Sequence, residues 1–224
     1  MRILVLGHGK TGKLVADVAH ERGHGVHVLD AKENPNAQAL TPPFVTLFDV
    51  VIDFTTPEAV IPNLRACLAT GARVVVGTTG WYDKLPDMRS LAERKEAGLL
   101  YGTNYSIGTQ VMFQAASVLA SGLAKAGYEF TIEETHHTSK LDAPSGTALS
   151  LKAALGGIDA PITSHREGDT VGIHTLVATS KGDRVVLTHE AFSRRAFADG
   201  AVRAAEWLST RKGCYDFKDI FSEL

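Results

Sequence analysis

The run Ile3-Leu4-Val5-Leu6-Gly7-His8-Gly9-Lys10-Thr11-Gly12 sets the architecture of this chain. Four apolar residues in unbroken succession describe a strand buried on both faces, as parallel strands are. A Gly-x-Gly-x-x-Gly turn follows at once, and beyond it Leu14, Val15, Val18 and Ala19 recur at helical spacing. Glycines permit a tight turn and let the backbone approach a pyrophosphate lying on the helix N-terminus. A second strand, Gly25 to Leu29, ends in Asp30, an acceptor suited to a ribose hydroxyl. The glycine pattern alone is weak, but in the order strand, turn, helix, strand and acid it is a dinucleotide-binding fingerprint.

The alternation continues outward. Val50 to Phe54 reads as a strand, Pro57 stands near the start of a helix over Glu58 to Ala69, and Arg73 to Val76 is a further strand ending in Gly77-Thr78-Thr79-Gly80. A helix around Asp83 to Ala97 leads to a short strand, Gly98 to Tyr101, and then to Gly102-Thr103-Asn104-Tyr105-Ser106. The ends of such strands line the ligand crevice of an open α/β sheet. After a helix over Gly108 to Lys125 the pattern changes. Strands over Tyr128 to Thr135, Gly172 to Thr179 and Arg184 to Ala191 have no regular helix alternation, and Lys181-Gly182-Asp183 reads as a hairpin turn. An amphipathic helix, Ser193 to Arg211, with Ala201, Ala204, Ala205 and Leu208 on its packed face, resumes the α/β character. The expected fold is an α/β, Rossmann-type doubly wound parallel sheet with a second α+β domain carrying a mixed or antiparallel sheet. The first, dinucleotide-binding domain takes residues 1–105 plus 193–224; residues 106–192 form the second, with hinges near Tyr105 and Ser193.

Chemistry concentrates in Glu134 to Ala148. A strand delivers two adjacent imidazoles, His136 and His137, and imidazole is both acid and base near neutrality. Lys140 adds a fixed positive charge, while Asp142 reads as a brace for the turn. Pro144-Ser145-Gly146-Thr147 opens an apolar helical run, which places the amides of Gly146 and Thr147 in a first turn, where N–H groups point out of the helix. That end of a helix dipole binds carboxylate or phosphate. The ligand expected here is a small anion that needs a proton.

Composition sets bounds. A chain of 224 residues can bury a substantial core, and a net charge of -2 gives no electrostatic case for nucleic acid or an anionic membrane. Cys67 and Cys214 fit neither a disulfide framework nor a zinc motif, and His136, His137, His165, His174 and His189 lack metal-ligand spacing, so no metal is expected. The opening residues lead directly into the fold without a signal peptide, and no apolar stretch is expected to reach membrane-spanning length. A cytoplasmic enzyme is the natural inference.

Glu134 to Ala148 resembles the signature of the 4-hydroxy-tetrahydrodipicolinate reductase family, formerly called dihydrodipicolinate reductase, of the diaminopimelate/lysine pathway. The similarity extends through Gly7 to Gly12, Val51 to Thr55, Gly77 to Gly80, Asn104 to Gly108, Gly172 to Thr175 and Ser193 to Ala201. The resemblance implies hydride transfer from NADH and/or NADPH to a cyclic dicarboxylate of imine type, with His136 as proton donor and acceptor and Lys140 as a second, cationic catalytic group. It implies substrate contacts from His137, Gly146 and Thr147. Gly7, His8, Gly9, Lys10, Thr11, Gly12 and Asp30 would hold pyrophosphate and ribose, and Gly77, Thr78, Thr79, Gly102, Thr103, Asn104 and Tyr105 the nicotinamide end. It further implies a homotetramer assembled through the substrate-binding domain. Two departures bear on the cofactor: Lys10-Thr11 replaces the family's Arg-Met pair, and the short stretch from Asp30 to Asp53 lacks an Arg beside the ribose acid. NADH is expected to serve, with NADPH left open. An amino-acid dehydrogenase would share the opening fingerprint without the His136 to Thr147 string, and a nucleotide sensor would have no use for His136 and Lys140.

Overall fold

Residues Ile3 to Leu6 are each at most 1% exposed, and that burial is supplied by strands on both sides and helices on both faces. The computed structural model describes all residues, 1–224. In chain order the elements are β1 (Arg2–Leu6), α1 (Lys10–Glu21), β2 (Gly25–Leu29), α2 (Pro42–Val45), β3 (Val50–Asp53), α3 (Pro57–Ala69), β4 (Arg73–Val76), α4 (Leu85–Arg94) and β5 (Gly98–Tyr101). There follow α5 (Ile107–Leu123), β6 (Glu129–His136), α6 (Gly146–Ala154), β7 (Ile162–Arg166), β8 (Gly172–Thr179) and β9 (Arg184–Ala191), then α7 (Arg195–Leu208), β10 (Gly213–Asp216) and α8 (Phe217–Ile220). The chain divides into two units, Met1–Tyr105 with Arg195–Leu224, and Ser106–Arg194.

In the first unit six parallel strands lie in the order β10-β5-β4-β3-β1-β2. The order reverses at β1 and β3, so a crevice opens at their carboxyl ends. Helix α1 buries Val15, Val18 and Ala19, and α7 buries a face of small residues, Ala198, Ala201, Ala204 and Ala205, which lets it lie close to α1 and the sheet. Each fully buried Val, Leu or Ile contributes about 1.5–3 kcal/mol.

The second unit holds a mixed four-stranded sheet in the order β7-β6-β8-β9, in which β6 and β7 are parallel and the other pairs antiparallel. Helices α5 and α6 supply Met112, Ala116, Ala120, Ala148 and Leu151 to a core shared with Phe130, Ile132 and Leu176 of the sheet.

Several local expectations need correction. Strand β7 lies outside the sequence expectations because Ile-Thr-Ser-His-Arg has a single apolar residue, and β10 because Gly-Cys-Tyr-Asp is a short run that opens on glycine. The helix expected over Asp83 to Ala97 is a short turn at Tyr82–Lys84 followed by α4, whose Pro86 sits in the first turn. The last helix is shorter than Ser193 to Arg211. One length expectation fails outright: Ile107–Ala126 is long and apolar enough to cross a membrane. Its apolar residues serve the second unit's core on one face. The strand expected to stop at Thr135 continues to His136, which therefore belongs to the ladder and is paired with Arg166 of β7.

Candidate active site

The glycine turn is closed from below and open above. Gly7 adopts φ +93°, and a Cβ there would meet the Phe54 carbonyl oxygen at 2.3 Å; one at Gly12 would meet the Gly7 carbonyl oxygen at 2.1 Å. Gly9, the N-cap of α1, has nothing within 4 Å of a Cβ position and no capping side chain, which leaves that helix end accessible to a phosphate. Two adjoining cavities share Gly9, Phe54 and Thr55. One, of about 310 Å³, is bordered by Gly7, His8, Asp30, Asn34 and Asn36. The other, of about 320 Å³, is bordered by Lys10, Thr11, Gly77, Thr78 and Thr79.

Asp53 braces the floor of both. Its buried carboxylate accepts from Thr55 N (3.0 Å), Thr55 Oγ1 (2.7 Å) and Thr78 Oγ1 (2.7 Å) through Oδ1, and from Asn63 Nδ2 (2.9 Å) through Oδ2. Asn63 in turn accepts from Asn34 Nδ2 at 3.0 Å. Burial raises the Asp53 pKa against the lowering effect of these donors. Asp30 is oriented by its own turn, accepting from the backbone amides of Lys32 (2.8 Å) and Glu33 (3.1 Å), while Glu33 accepts from Asp30 N.

Gly12 packs beneath the turn rather than lining a cavity, and Gly102, Thr103 and Asn104 border neither cavity. The Tyr105 side chain is turned inward: it is 2% exposed, donates to Val76 O at 2.8 Å and lies against Phe217. The Tyr105 side chain thereby links β4 to α8.

In the second unit, period two along β6 puts Phe130, Ile132, Glu134 and His136 on the buried face. The polar end of that face forms a row across the sheet, because Glu134 lies opposite Ser164 of β7 and His174 of β8, and His174 lies opposite His189 of β9. Glu134 Oε1 accepts from Ser164 Oγ (2.7 Å), Ser145 N (3.0 Å) and Arg166 Nη2 (3.4 Å). Its Oε2 lies 3.2 Å from His136 Nδ1 and 3.7 Å from His174 Nε2. The His136 and His174 rings meet edge to face at 5.0 Å, and His174 Nε2 is 3.2 Å from Ser145 Oγ. The ligand-type atoms of Glu134, His136 and His174 all lie within 4.8 Å of one another, whereas His165 points outward on β7.

Electrostatics follow from this packing. Burial pushes the Glu134 carboxyl up, but donors from Ser145 and Ser164 and the nearby His136 outweigh it and bring the pKa down to about 2. Burial lowers His136; Glu134 raises it, and Lys140 and Arg166 lower it further. Burial, with His136 beside it, takes His174 down to about 4. Near neutrality the cluster is one carboxylate facing two neutral imidazoles.

The loop after β6 carries the rest. Lys140 Nζ donates to both Asp142 oxygens at 2.8 and 3.0 Å, so the expected brace also pairs the cation. Arg166 donates to the carbonyl oxygens of Lys140 (3.3 Å) and Asp142 (2.6 Å), holding the loop to β7. Ser145 caps α6, accepting from Ala148 N at 3.1 Å, and nothing lies within 4 Å of a Cβ position at Gly146. His137 lies between Ser139 Oγ (2.8 Å) and Arg194 Nη2 (3.2 Å).

The structure therefore gathers His136, His137, Lys140, Gly146 and Thr147 along one strand end, loop and helix start. Sequence reasoning missed Glu134, Ser164, Arg166, His174, Arg194 and the bracing role of Asp53. Glu134 was legible, two residues before His136 on the same strand face; Ser164 and Arg166 were not, because their strand was not recognised.

Comparison with known proteins gives concordant results. Residues 1–105 match the family model described as Dihydrodipicolinate reductase, N-terminus, and residues 108–221 the one described as Dihydrodipicolinate reductase, C-terminus. The 4-hydroxy-tetrahydrodipicolinate reductase of Christiangramia forsetii is 34% identical over 242 aligned residues, covering 100% of this chain and 99% of that protein. The enzyme of the same name from Thiobacillus denitrificans is 40% identical over 195 residues, 76% of this chain and 72% of that protein. Among solved structures, dipicolinate-bound dihydrodipicolinate reductase from Paenisporosarcina sp. TG-14 superposes with a TM-score of 0.79 at 25% identity, covering 98% of this chain and 99% of that one. An amine dehydrogenase from Mycobacterium smegmatis, at 11% identity and a TM-score of 0.65, shares the fold.

Proposed function

The chain belongs to the dihydrodipicolinate reductase family, and from that membership we propose how its own side chains serve the reaction. The activity is reduction of 4-hydroxy-tetrahydrodipicolinate in the synthesis of diaminopimelate and lysine, using a nicotinamide dinucleotide. The groove fits such a cofactor: the turn at Gly7 to Gly12 is bare where a pyrophosphate would approach, and the two adjoining cavities have room for its two ends. The bound dinucleotide supplies the hydride.

The residues present divide the remaining work. Gly7, His8, Gly9, Lys10 and Thr11 hold the pyrophosphate, with Gly12 allowing the close turn, and Asp30 takes the ribose hydroxyls. Gly77, Thr78 and Thr79 hold the nicotinamide end, with Gly102, Thr103 and Asn104 and the backbone of Tyr105 beside them. Two acids, Asp30 and Glu33, at the ribose turn and no Arg after them disfavour a 2′-phosphate, so NADH is the preferred carrier and NADPH the weaker one.

On the second unit, the amides of Gly146 and Thr147 and the dipole of α6 grip one carboxylate of the ring, and His137 contacts the substrate from the strand end. Lys140 neutralises a carboxylate or the charge that develops on hydride addition. Loss of the 4-hydroxyl as water and addition of hydride to the conjugated ring leave an electron-rich enamine, and His136 delivers the proton that quenches it. The dipicolinate named in the Paenisporosarcina structure is a ring dicarboxylate of this kind, in support of that assignment.

The helix-free sheet face, bearing Thr131, Glu133, Val177 and Val186, is the surface through which we expect a homotetramer to assemble. The reaction belongs in the cytoplasm, in keeping with two free cysteines.

The observation that carries the mechanism is the buried Glu134–His136 pair beside the Lys140 loop and the start of α6. Following NADH and NADPH oxidation with freshly generated 4-hydroxy-tetrahydrodipicolinate tests the reading. Turnover faster with NADH is expected; oxidation of an amino acid with no reduction of the dicarboxylate would replace it with an amino-acid dehydrogenase.

A further inference from the structure

The imidazole at the end of β6 is held by a carboxylate on its own strand. The Glu134 side chain is fully buried, and its two oxygens have different duties. Oε1 takes three donors, one from the α6 cap, Ser145 N, and two from β7, Ser164 Oγ and Arg166 Nη2. Oε2 takes none, and it faces His136 Nδ1 at 3.2 Å. Nδ1 is equally buried and equally without a hydrogen-bond partner. Two orphaned polar atoms at that separation are one small ring rotation from an aligned N–H to carboxylate bond, and leaving both unpaired in a buried site is costly. The opposite ring atom has space: a Cβ at Gly172 would lie 3.1 Å from His136 Nε2, so the absence of a side chain there keeps that edge clear.

We propose that Glu134 is the positioning residue of this site, holding His136 through Nδ1 so that Nε2 is the atom that exchanges the proton with substrate. The proposal rests on the reading of His136 as the proton donor and adds the residue, the ring atom and the tautomer. Its second consequence is geometric. Because Glu134 Oε1 also accepts from Ser145 N, and Arg166 joins Glu134 to the Lys140 and Asp142 carbonyls, one carboxylate fixes the proton donor, the cationic loop and the anion-binding helix end as a unit.

The charges facing His136 show why the carboxylate matters. Glu134 on β6 and Asp142 on the loop favour the imidazolium; Lys140 on the loop and Arg166 on β7 oppose it, and His174 on β8, with His189 of β9 behind it, adds no anion. Without the Glu134 charge, two cations confront His136 with one partly exposed anion to offset them, and Nδ1 loses its acceptor.

Glu134→Gln keeps the size of the side chain and removes the charge. The expected result is a fall in kcat of at least about tenfold, with the KM of the dicarboxylate and the Kd of NADH held within about twofold. The limb of the pH profile that reports protonated His136 moves to lower pH by about one unit or more. In a His136→Ala background the same change lowers kcat no further. In the wild-type protein, imidazole nitrogen NMR finds neutral His136 protonated on Nδ1, a measurement that decides the matter even where the variant does not fold. An Nε2–H tautomer in the wild type, an unmoved pH limb in Glu134→Gln, or an equal additional loss in the His136→Ala background overturns the proposal. If His136→Ala itself turns over normally, the underlying reading of His136 fails; if it is impaired while Glu134→Gln is not, Glu134 alone is dismissed.

Discussion

Arg194 Nη2 stands 3.2 Å from Nε2 of His137. A guanidinium has no acceptor, so Arg194 donates to the ring nitrogen, and Ser139 Oγ lies 2.8 Å from His137 Nδ1 on the other side of the ring. His137 is thereby held at both ring nitrogens, one residue from His136 but on the other side of the strand direction. In the proposed mechanism the two histidines have separate tasks. His137→Ala is expected to raise the KM of the dicarboxylate roughly tenfold with kcat changed less than about threefold. Steady-state kinetics check this, and an unchanged KM would remove His137 from the substrate.

At the other ligand, the acid at the end of β2 is proposed to set the choice of carrier. Asp30→Ala is expected to weaken NADH by roughly tenfold and NADPH by much less, since the lost acceptor serves a free 2′-hydroxyl. Fluorescence titration of both dinucleotides reads the difference. Equal losses would place the ribose contact elsewhere.

The imidazole cluster also makes stability depend on pH. His174 titrates near 6.5 when unfolded and at about 4 when folded, so between those values the unfolded chain takes up a proton that the folded chain refuses. Its neutral burial is harmless above pH 6.5 and costs on the order of 3 kcal/mol by pH 4. The lowered His136 acts in the same direction, whereas the Glu134 contribution is present above pH 4.5 and is lost as pH falls toward about 2. Urea melts from pH 7 to 4.5 should show a stability loss that His174→Gln reduces. Parallel slopes for the two proteins would contradict this account of His174.

Which parts of this were legible in the sequence follows from how local the signals are. Ile3 to Leu6, Gly7 to Gly12 and the run to Leu29 announce a parallel sheet because a buried strand and a glycine turn are written in adjacent residues. His136, Lys140 and the cap at Ser145 lie within one short segment for the same reason. Ser164 and Arg166 reach Glu134 from a strand with one apolar residue, and Arg194 reaches His137 across 57 residues; both depend on tertiary pairing that no local pattern records. The direction of the Tyr105 side chain is likewise not written in its position beside the crevice; burial against Phe217 decides it.

Beneath the dinucleotide groove, Asp53→Ala should be costly. It leaves the Thr55 and Thr78 hydroxyls and the Asn63 side-chain amide without their Asp53 acceptor, and the Thr55 amide with Thr78 Oγ1 alone. A loss of about 3 kcal/mol is expected, with weaker NADH binding because Thr55 and Thr78 line the cavity. Denaturant midpoints and dinucleotide titration measure the two effects, and a variant as stable as the wild type would show that Asp53 does not brace the groove.

The proton donor is where the mechanism stands or falls, and His136→Ala reaches it most directly. Single-turnover and steady-state oxidation of NADH by 4-hydroxy-tetrahydrodipicolinate should slow about a hundredfold or more in that variant, with NADH affinity nearly unchanged. Turnover at the wild-type rate, in a variant that binds NADH normally, would show that the buried imidazole of β6 is not the acid of this reaction.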